Sequence, residues 1–212
     1  MRAVIIGNGS ITDYDYIKSK IRPDDFIICA DGGYNHAVRL GVKPNIIIGD
    51  FDSANGYENE ESVIRYPVRK DFTDGELAVE YALEKGCDSV VLLAMTGDRA
   101  DHTITDILLL AKCENGVLID DNNEIYIIKS KLEISGNVGD NVSIVPINGD
   151  LEGIVTKGLE YPLNNETLYF GKSRGVSNVM TADKCEIAAK NGMGLVIKIR
   201  NIYFEGEIHD IS

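Results

Sequence analysis

Gly49-Asp50-Phe51-Asp52-Ser53 sets two carboxylates one residue apart, directly after the apolar run Asn45-Ile46-Ile47-Ile48. If strand geometry persists through them, Asp50 and Asp52 point to one side and Phe51 to the other. Like charges held that close repel, and one pKa rises unless a cation sits between them. Mg²⁺ suits such a place. It accepts one or two carboxylates, keeps several waters and shares the rest of its shell with substrate phosphates. Read alone, the stretch also fits a turn capped by Asp52 or Ser53, with Asp50 solvated.

Other stretches bear on that choice. Lys70-Asp71-Phe72-Thr73-Asp74-Gly75-Glu76 brings a lysine and two aspartates to the start of a predicted helix, where the backbone attracts anions. Thr73 and Glu76 read as a capping box, which leaves Asp74 as the functional candidate; Asp71 and Asp74 also fit a plain complement to the helix dipole. Thr96-Gly97-Asp98-Arg99-Ala100-Asp101-His102 follows a strand and opens a helix. Its glycine permits close backbone approach, and Arg99 can grip phosphate oxygens with two parallel hydrogen bonds. The plain alternative pairs Arg99 with Asp101 or Asp98 at the surface. His36 and His209 lack supporting neighbours and receive no role. Farther on, Gly158-Leu159-Glu160-Tyr161-Pro162-Leu163 and Ser173-Arg174-Gly175-Val176-Ser177-Asn178 read as polar loops. Ser177 and Asn178 carry donors and acceptors suited to the edge of a heterocycle. No Gly-x-x-x-x-Gly-Lys-Ser/Thr loop and no Gly-x-Ser-x-Gly elbow occurs, and Gly7-Asn8-Gly9-Ser10-Ile11-Thr12 lacks the third glycine of a dinucleotide fingerprint.

The elements that must position these residues repeat one device. Val4-Ile5-Ile6, Phe26 to Ala30, Ile46-Ile47-Ile48, Val90 to Met95 and Val117-Leu118-Ile119 each run into glycine, acid or both. Apolar runs without alternation read as strands buried on both faces. Between them the pattern predicts helices over Asp13 to Ile21, Tyr34 to Leu40, Thr73 to Gly86 (with Leu77, Ala78, Tyr81 and Ala82 on one face) and Asp101 to Lys112, the last largely buried. Strands alternating with helices predict a mostly parallel α/β sheet. Ligands in such sheets sit beyond the carboxyl ends of the strands, where Asp31, Asp50, Asp52 and Asp98 would meet Asp74. From Glu124 onward strand-like pieces dominate: Ile125 to Ile128, Val142 to Val145, Thr167 to Phe170 and Leu195 to Ile199, with turns expected at Gly136, Asn148-Gly149-Asp150, Asn164-Asn165 and Asn191-Gly192. That predicts a smaller C-terminal all-β sandwich after the α/β domain, with the boundary near 123–131 and the domains drawn at 1–125 and 126–212.

The 212 residues suffice for two modest cores, and 44% hydrophobic with 26% charged content is ordinary for a globular protein. A formal net charge of −13 argues against binding nucleic acid or an anionic membrane, and would favour a cationic substrate. Cys29, Cys87, Cys113 and Cys185 are scattered without a C-x-x-C pair, so reduced cysteines in a cytoplasmic protein are expected. No run approaches the ~20 apolar residues of a membrane span.

In their order along the chain, Ala30-Asp31-Gly32-Gly33, Gly49-Asp50-Phe51-Asp52-Ser53, Lys70-Asp71-Phe72-Thr73-Asp74, Gly97-Asp98-Arg99-Ala100-Asp101-His102, Gly158 to Leu163 and Gly175-Val176-Ser177-Asn178 resemble the motifs of thiamine pyrophosphokinases. The resemblance spans nearly the whole chain. It implies an N-terminal α/β domain, a C-terminal β-sandwich, and a homodimer with active sites at the subunit interface. It implies Mg²⁺-dependent transfer of a diphosphoryl group from ATP to the hydroxyethyl oxygen of thiamine, leaving AMP. By the same motif match, Asp31, Asp50, Asp52 and Asp74 are the catalytic carboxylates, with Asp50, Asp52 and Asp74 as metal ligands. Lys70, Asp71, Arg99, Asp101 and His102 fall on the nucleotide and phosphate side, and Ser177 and Asn178 face the thiamine pyrimidine. Two positions depart from the pattern: Asp106 stands where many relatives have asparagine, and Val179 where many have glutamate. Rival readings are a related ATP diphosphotransferase acting on a hydroxymethyl pterin, a non-catalytic thiamine- or nucleotide-binding regulator, and, more remotely, a metal-dependent phosphohydrolase.

Overall fold

The structure, a computed structural model, describes residues 1–49, 62–67 and 71–200. The fold is mixed α/β, with a large sheet and a second, four-stranded antiparallel sheet. The chain divides into two units, Met1–Ile127 and Ile128–Ser212.

In the first unit the strands are β1 (Arg2–Ile6), β2 (Phe26–Ala30), β3 (Ile46–Gly49), β4 (Val63–Arg65), β5 (Ser89–Leu93), β6 (Asn115–Ile119) and β7 (Asn123–Ile128). Their order across the sheet is β7-β6-β5-β1-β2-β3-β4. All neighbours are parallel except β7, which turns back on β6 with Ile125 opposite Leu118. The chain steps outward from β1 in one direction through β2, β3 and β4. It then crosses back to place β5 and β6 on the other side. The carboxyl ends of β1 and β5 therefore flank the point where the winding direction reverses, and a crevice is expected there. The short strand β4, which the sequence pattern does not mark, pairs Val63 with Ile47.

The helices are α1 (Tyr14–Ser19), α2 (Gly33–Leu40), α3 (Asp74–Glu84) and α4 (Ala100–Leu109), the last tightening into a 3₁₀ turn over Leu110–Lys112. Alternation along the strands splits the apolar residues between two faces. Val4, Ile6, Ile27, Cys29, Ile47, Val91 and Leu93 form one core with Ile17 of α1 and Tyr34, Ala37 and Leu40 of α2. Ile5, Ile28, Ile48 and Leu92, all fully buried, point to the other face, where α3 packs over β1, β2 and β3.

Caps fix where two of the helices begin. Asp13 Oδ1 accepts from the Tyr16 amide at 2.9 Å, and Thr73 Oγ1 accepts from the Glu76 amide at 3.1 Å. The capping box at Thr73 is only half made, because Glu76 Oε1 instead accepts from Lys112 Nζ at 2.6 Å. On the apolar face of α3, Val79 is buried with Leu77, Ala78 and Ala82, whereas Tyr81 is only half-buried. Helix α4 departs further from expectation: Leu109 is its buried residue, while Ile104 and Leu108 are 59% and 47% exposed. The apolar run Ile107–Leu110 wraps around the helix rather than forming one stripe, so one face cannot bury it all.

In the second unit, β8 (Lys131–Ser135), β9 (Asn141–Pro146), β10 (Leu151–Lys157), β11 (Asn164–Leu168), β12 (Asn178–Val179), β13 (Lys184–Ala188) and β14 (Gly194–Ile199) are arranged as β12-β9-β14 and as β11-β10-β13-β8. Every pairing among them is antiparallel. Asn164-Asn165, expected as a turn, opens β11; Asn165 takes φ +56°, and the β10–β11 register shifts between Leu151, Ile154 and Val155. Asparagine tolerates that left-handed backbone, so a turn-forming residue sits here at an irregular strand start. The four cysteines are free and buried. Among the described residues no helix is long and apolar enough to cross a membrane.

Candidate active site

The crevice expected from the winding is present in the first unit. A cleft of about 580 Å³ is lined by the loop after β1 (Gly7–Ser10), by Ala30 and Asp31 at the end of β2, and by Ala94–Arg99 after β5. Thr73, Asp74 and Gly75 at the start of α3, and His102, Thr103 and Asp106 in the first turns of α4, complete the lining. Two helix N-termini thus border one cleft, and the dipole of each favours an anion there.

Two of the strand ends are strained. Asp31 has φ +46° and Ala94 has φ +53°, values that side chains other than glycine rarely adopt. Asp31 also takes its carboxylate inside. It is only 9% exposed, and its Oδ1 has no hydrogen-bond partner among the described residues. Its backbone is held on both sides: its amide donates to Ile48 O at 2.7 Å, and its carbonyl accepts from the Tyr34 amide at 3.2 Å. A buried carboxylate oxygen without a partner is costly and persists where something bound satisfies it.

The loop after β1 is zipped onto the segment after β5. Gly7, Gly9 and Ser10 donate their amides to the carbonyls of Leu93, Ala94 and Thr96 at 2.9, 2.6 and 2.8 Å. A Cβ on Gly9 would come within 2.3 Å of Thr96 O, so this approach needs glycine. The turn after β6 braces both segments. Thr96 Oγ1 donates to Asp120 Oδ2 at 3.3 Å, and Asp121 accepts from the Thr12 hydroxyl at 2.6 Å and from the Thr12 and Asp13 amides at 2.7 and 3.1 Å.

Of the residues singled out in the sequence, Asp31, Asp74, Asp98, Arg99 and His102 share this cleft. Arg99 turns its guanidinium to Asp101, with Nη2 2.6 Å from Oδ2 and Nε 3.1 Å from Oδ1. That exposed pair holds the Asp101 carboxyl well below its ordinary range. Asp71 is exposed just ahead of α3. Asp50, Asp52 and Lys70 lie outside the described residues. Ser177 and Asn178 belong to the second unit. Ser177 is exposed with φ +61°, and its amide donates to Ser143 Oγ at 3.0 Å. Asn178 clamps the 158–163 loop: its Nδ2 donates to Tyr161 O at 2.8 Å, and its Oδ1 accepts from the Tyr161 and Val179 amides at 3.0 and 2.9 Å.

Two residues given no site role in the sequence, Asp106 (marked there only as a departure from the family pattern) and His36, bear on the cleft. Asp106 lines the cleft, and its Oδ1 lies 3.1 Å from where a Cβ on Gly75 would stand. Burial pushes its carboxyl up to about 6. His36, given no role from its neighbours in sequence, contacts the Gly9 carbonyl and the Tyr14 hydroxyl. Its spacing in α2, three residues after Gly33, was the one available signal that it points back toward the strand ends.

Among the described residues no three carboxylates, imidazoles or thiols stand close enough to hold a metal by themselves. Mg²⁺ needs no such cage, because one or two carboxylates, waters and phosphates make up its shell. Asp31 with its unpartnered Oδ1, and Asp74 in the same cleft, are oxygen donors of that kind. The residues present fit a hard divalent cation.

Residues 17–127 match the family model described as Thiamin pyrophosphokinase, catalytic domain, and residues 125–193 match Thiamin pyrophosphokinase, vitamin B1 binding domain. Thiamine pyrophosphokinase of Bacillus subtilis (strain 168) is 30% identical over 186 residues, covering 81% of this chain and 86% of that protein. The crystal structure of thiamine pyrophosphokinase from Bacillus subtilis superposes with a TM-score of 0.85 at 26% identity, over 95% of this chain and 100% of that one. The yeast thiamin pyrophosphokinase structure shares the fold at a TM-score of 0.73 and 20% identity, over 94% of this chain and 86% of that one. The chain belongs to the thiamin pyrophosphokinase family.

Proposed function

We propose that this protein transfers a diphosphoryl group from ATP to thiamine. The hydroxyethyl oxygen of thiamine attacks the β-phosphorus. The bond from that phosphorus to the oxygen bridging it to the α-phosphate breaks, AMP leaves, and the hydroxyl proton passes to an acceptor on the protein. The observation that carries the reading is the cleft at the winding reversal, lined both by Asp31, whose buried Oδ1 has no partner among the described residues, and by the N-termini of α3 and α4. Phosphoryl transfer asks a protein for positioning and charge neutralisation more than for covalent chemistry. Asp50, Asp52 and Asp74, the first two outside the described residues, are the carboxylates assigned to Mg²⁺, with Asp31 as a further oxygen donor in the cleft, and one of Asp50, Asp52 and Asp74 takes or orients the thiamine proton. The ion, when bound, would offset charge on the phosphates. Arg99 and Lys70 offset the rest, with Asp71, Asp101 and His102 on the nucleotide side. Arg99 exchanges Asp101 for phosphate at little cost, because an exposed ion pair in water is weak.

The finer architecture belongs to the same reading: a catalytic α/β domain over 1–125, and a β-sandwich over 126–212 that binds thiamine and forms a homodimer. Ser177, and the loop that Asn178 holds, serve the pyrimidine. The acidic chain and its four reduced cysteines suit a cytoplasmic enzyme without nucleic-acid or membrane partners. The test is product analysis with ATP, Mg²⁺ and thiamine. AMP should form in step with thiamine diphosphate, and only when all three are present. ADP would mean single phosphoryl transfer or hydrolysis. Turnover with a hydroxymethyl pterin but not thiamine would move the acceptor, and thiamine binding without turnover would make the protein a regulator.

A further inference from the structure

The loop after β1 spends the amides of Gly7, Gly9 and Ser10 on the segment after β5, so it serves the cleft chiefly as a wall. The zip leaves the Gly9 carbonyl, which points the other way, toward α2. His36 Nε2 lies 2.8 Å from that oxygen, and its Nδ1 lies 2.7 Å from the Tyr14 hydroxyl. A carbonyl only accepts, so Nε2 carries the proton. In the neutral ring Nδ1 is then the acceptor, and Tyr14 donates to it. Tyr14 is itself held, with the Arg39 guanidinium 3.9 Å over its ring and its centroid 5.9 Å from that of His36. Burial, and secondarily Arg39, lower the pKa of His36 against the opposing pull of the Gly9 carbonyl.

We infer that His36 is a positioning residue: through Gly9 it locks the wall formed by Gly7–Ser10 to helices α1 and α2, and so sets the width of the nucleotide cleft. The loop is thereby tied on two sides, to the β5 end through three amides and to α2 through one carbonyl. Losing the second tie frees the wall to move away from the nucleotide without removing any group that touches it. The consequence for nucleotide rests on the function proposed above; the tie itself does not.

The test uses the full chain carrying His36→Leu, which fills the space without donating, and His36→Gln, whose side-chain amide can reach the carbonyl as Nε2–H does. With thiamine saturating, His36→Leu should raise the KM for ATP about threefold to tenfold, the range set by one lost net hydrogen bond, while kcat changes less than twofold. His36→Gln should restore most of the loss. Amide exchange is read in parallel at Gly9 and Ser10, whose protons are held by Ala94 and Thr96. Exchange there should quicken in His36→Leu and return in His36→Gln. If the leucine variant fails to fold, Tyr14→Phe, which removes the donor to Nδ1, should give the same KM shift in weaker form. An unchanged KM and unchanged exchange in a folded leucine variant, or a glutamine variant no better than leucine, would overturn the inference. Should the wild-type protein release no AMP, the function fails, yet exchange at Gly9 and Ser10 still decides whether His36 holds the wall.

Discussion

Asp31 combines a left-handed backbone with a buried carboxylate oxygen that has no partner among the described residues. Both features cost stability, and such costs gather where a ligand uses them. Asparagine tolerates the same backbone and carries no charge. Asp31→Asn should therefore melt at or above the wild-type temperature while kcat falls on the order of 100-fold, as when a charged group of a preorganised site is lost. A variant with wild-type turnover would remove Asp31 from the site. Asp106 makes a different prediction. Its carboxyl titrates near 6 in the folded chain against an ordinary 3.8. Its contribution to stability is then fully present below about pH 4 and is lost as pH rises through about 6. Asp106→Asn, measured by urea unfolding in chelator, should be more stable than wild type at pH 8, by about 2 kcal/mol after discounting for partial exposure. The gap should close as the pH falls toward 4; a gap independent of pH would contradict the assignment.

At the scale of elements, the glycines after the strands decide how closely the cleft is built. A Cβ on Gly33 would stand 1.9 Å from Ile6 O, so the first turn of α2 sits directly on the end of β1. Gly33→Ala should cost about 3 kcal/mol or more, seen as a lowered melting temperature, because backbone must move to relieve the clash. A variant as stable as wild type would mean that α2 and β1 are not so tightly apposed. Most of this layer was legible in the sequence. Apolar runs ending in glycine and acid gave β1, β2, β3, β5 and β6, and Thr73 gave the start of α3. What escaped was set by tertiary partners. Three residues of β4 are too few to show a period. Lys112 draws Glu76 away from its cap, and Ile104 and Leu108 stay exposed on a helix whose composition looks buried. What His36 and Asp106 do escaped for the same reason, although Asp106 was marked as a departure from the family pattern: one acts through a carbonyl 27 positions away, the other through burial against α3.

At the scale of the molecule, the winding order explains why acids far apart in sequence can serve one ligand. Asp31, Asp74 and Asp98 come from three different connections, and all line the cleft in the first unit. The net charge of −13 would oppose a polyanion such as ATP unless cations and helix ends offset it locally. Activity should accordingly vanish in excess chelator and return with Mg²⁺, while the unfolding transition remains cooperative. The fate of the β-phosphorus tests the central claim most directly. With ATP labelled at that atom, a single turnover on thiamine should carry the label into thiamine diphosphate and leave unlabelled AMP. Label retained in ADP would show that only the terminal phosphoryl group moves, and would contradict diphosphoryl transfer.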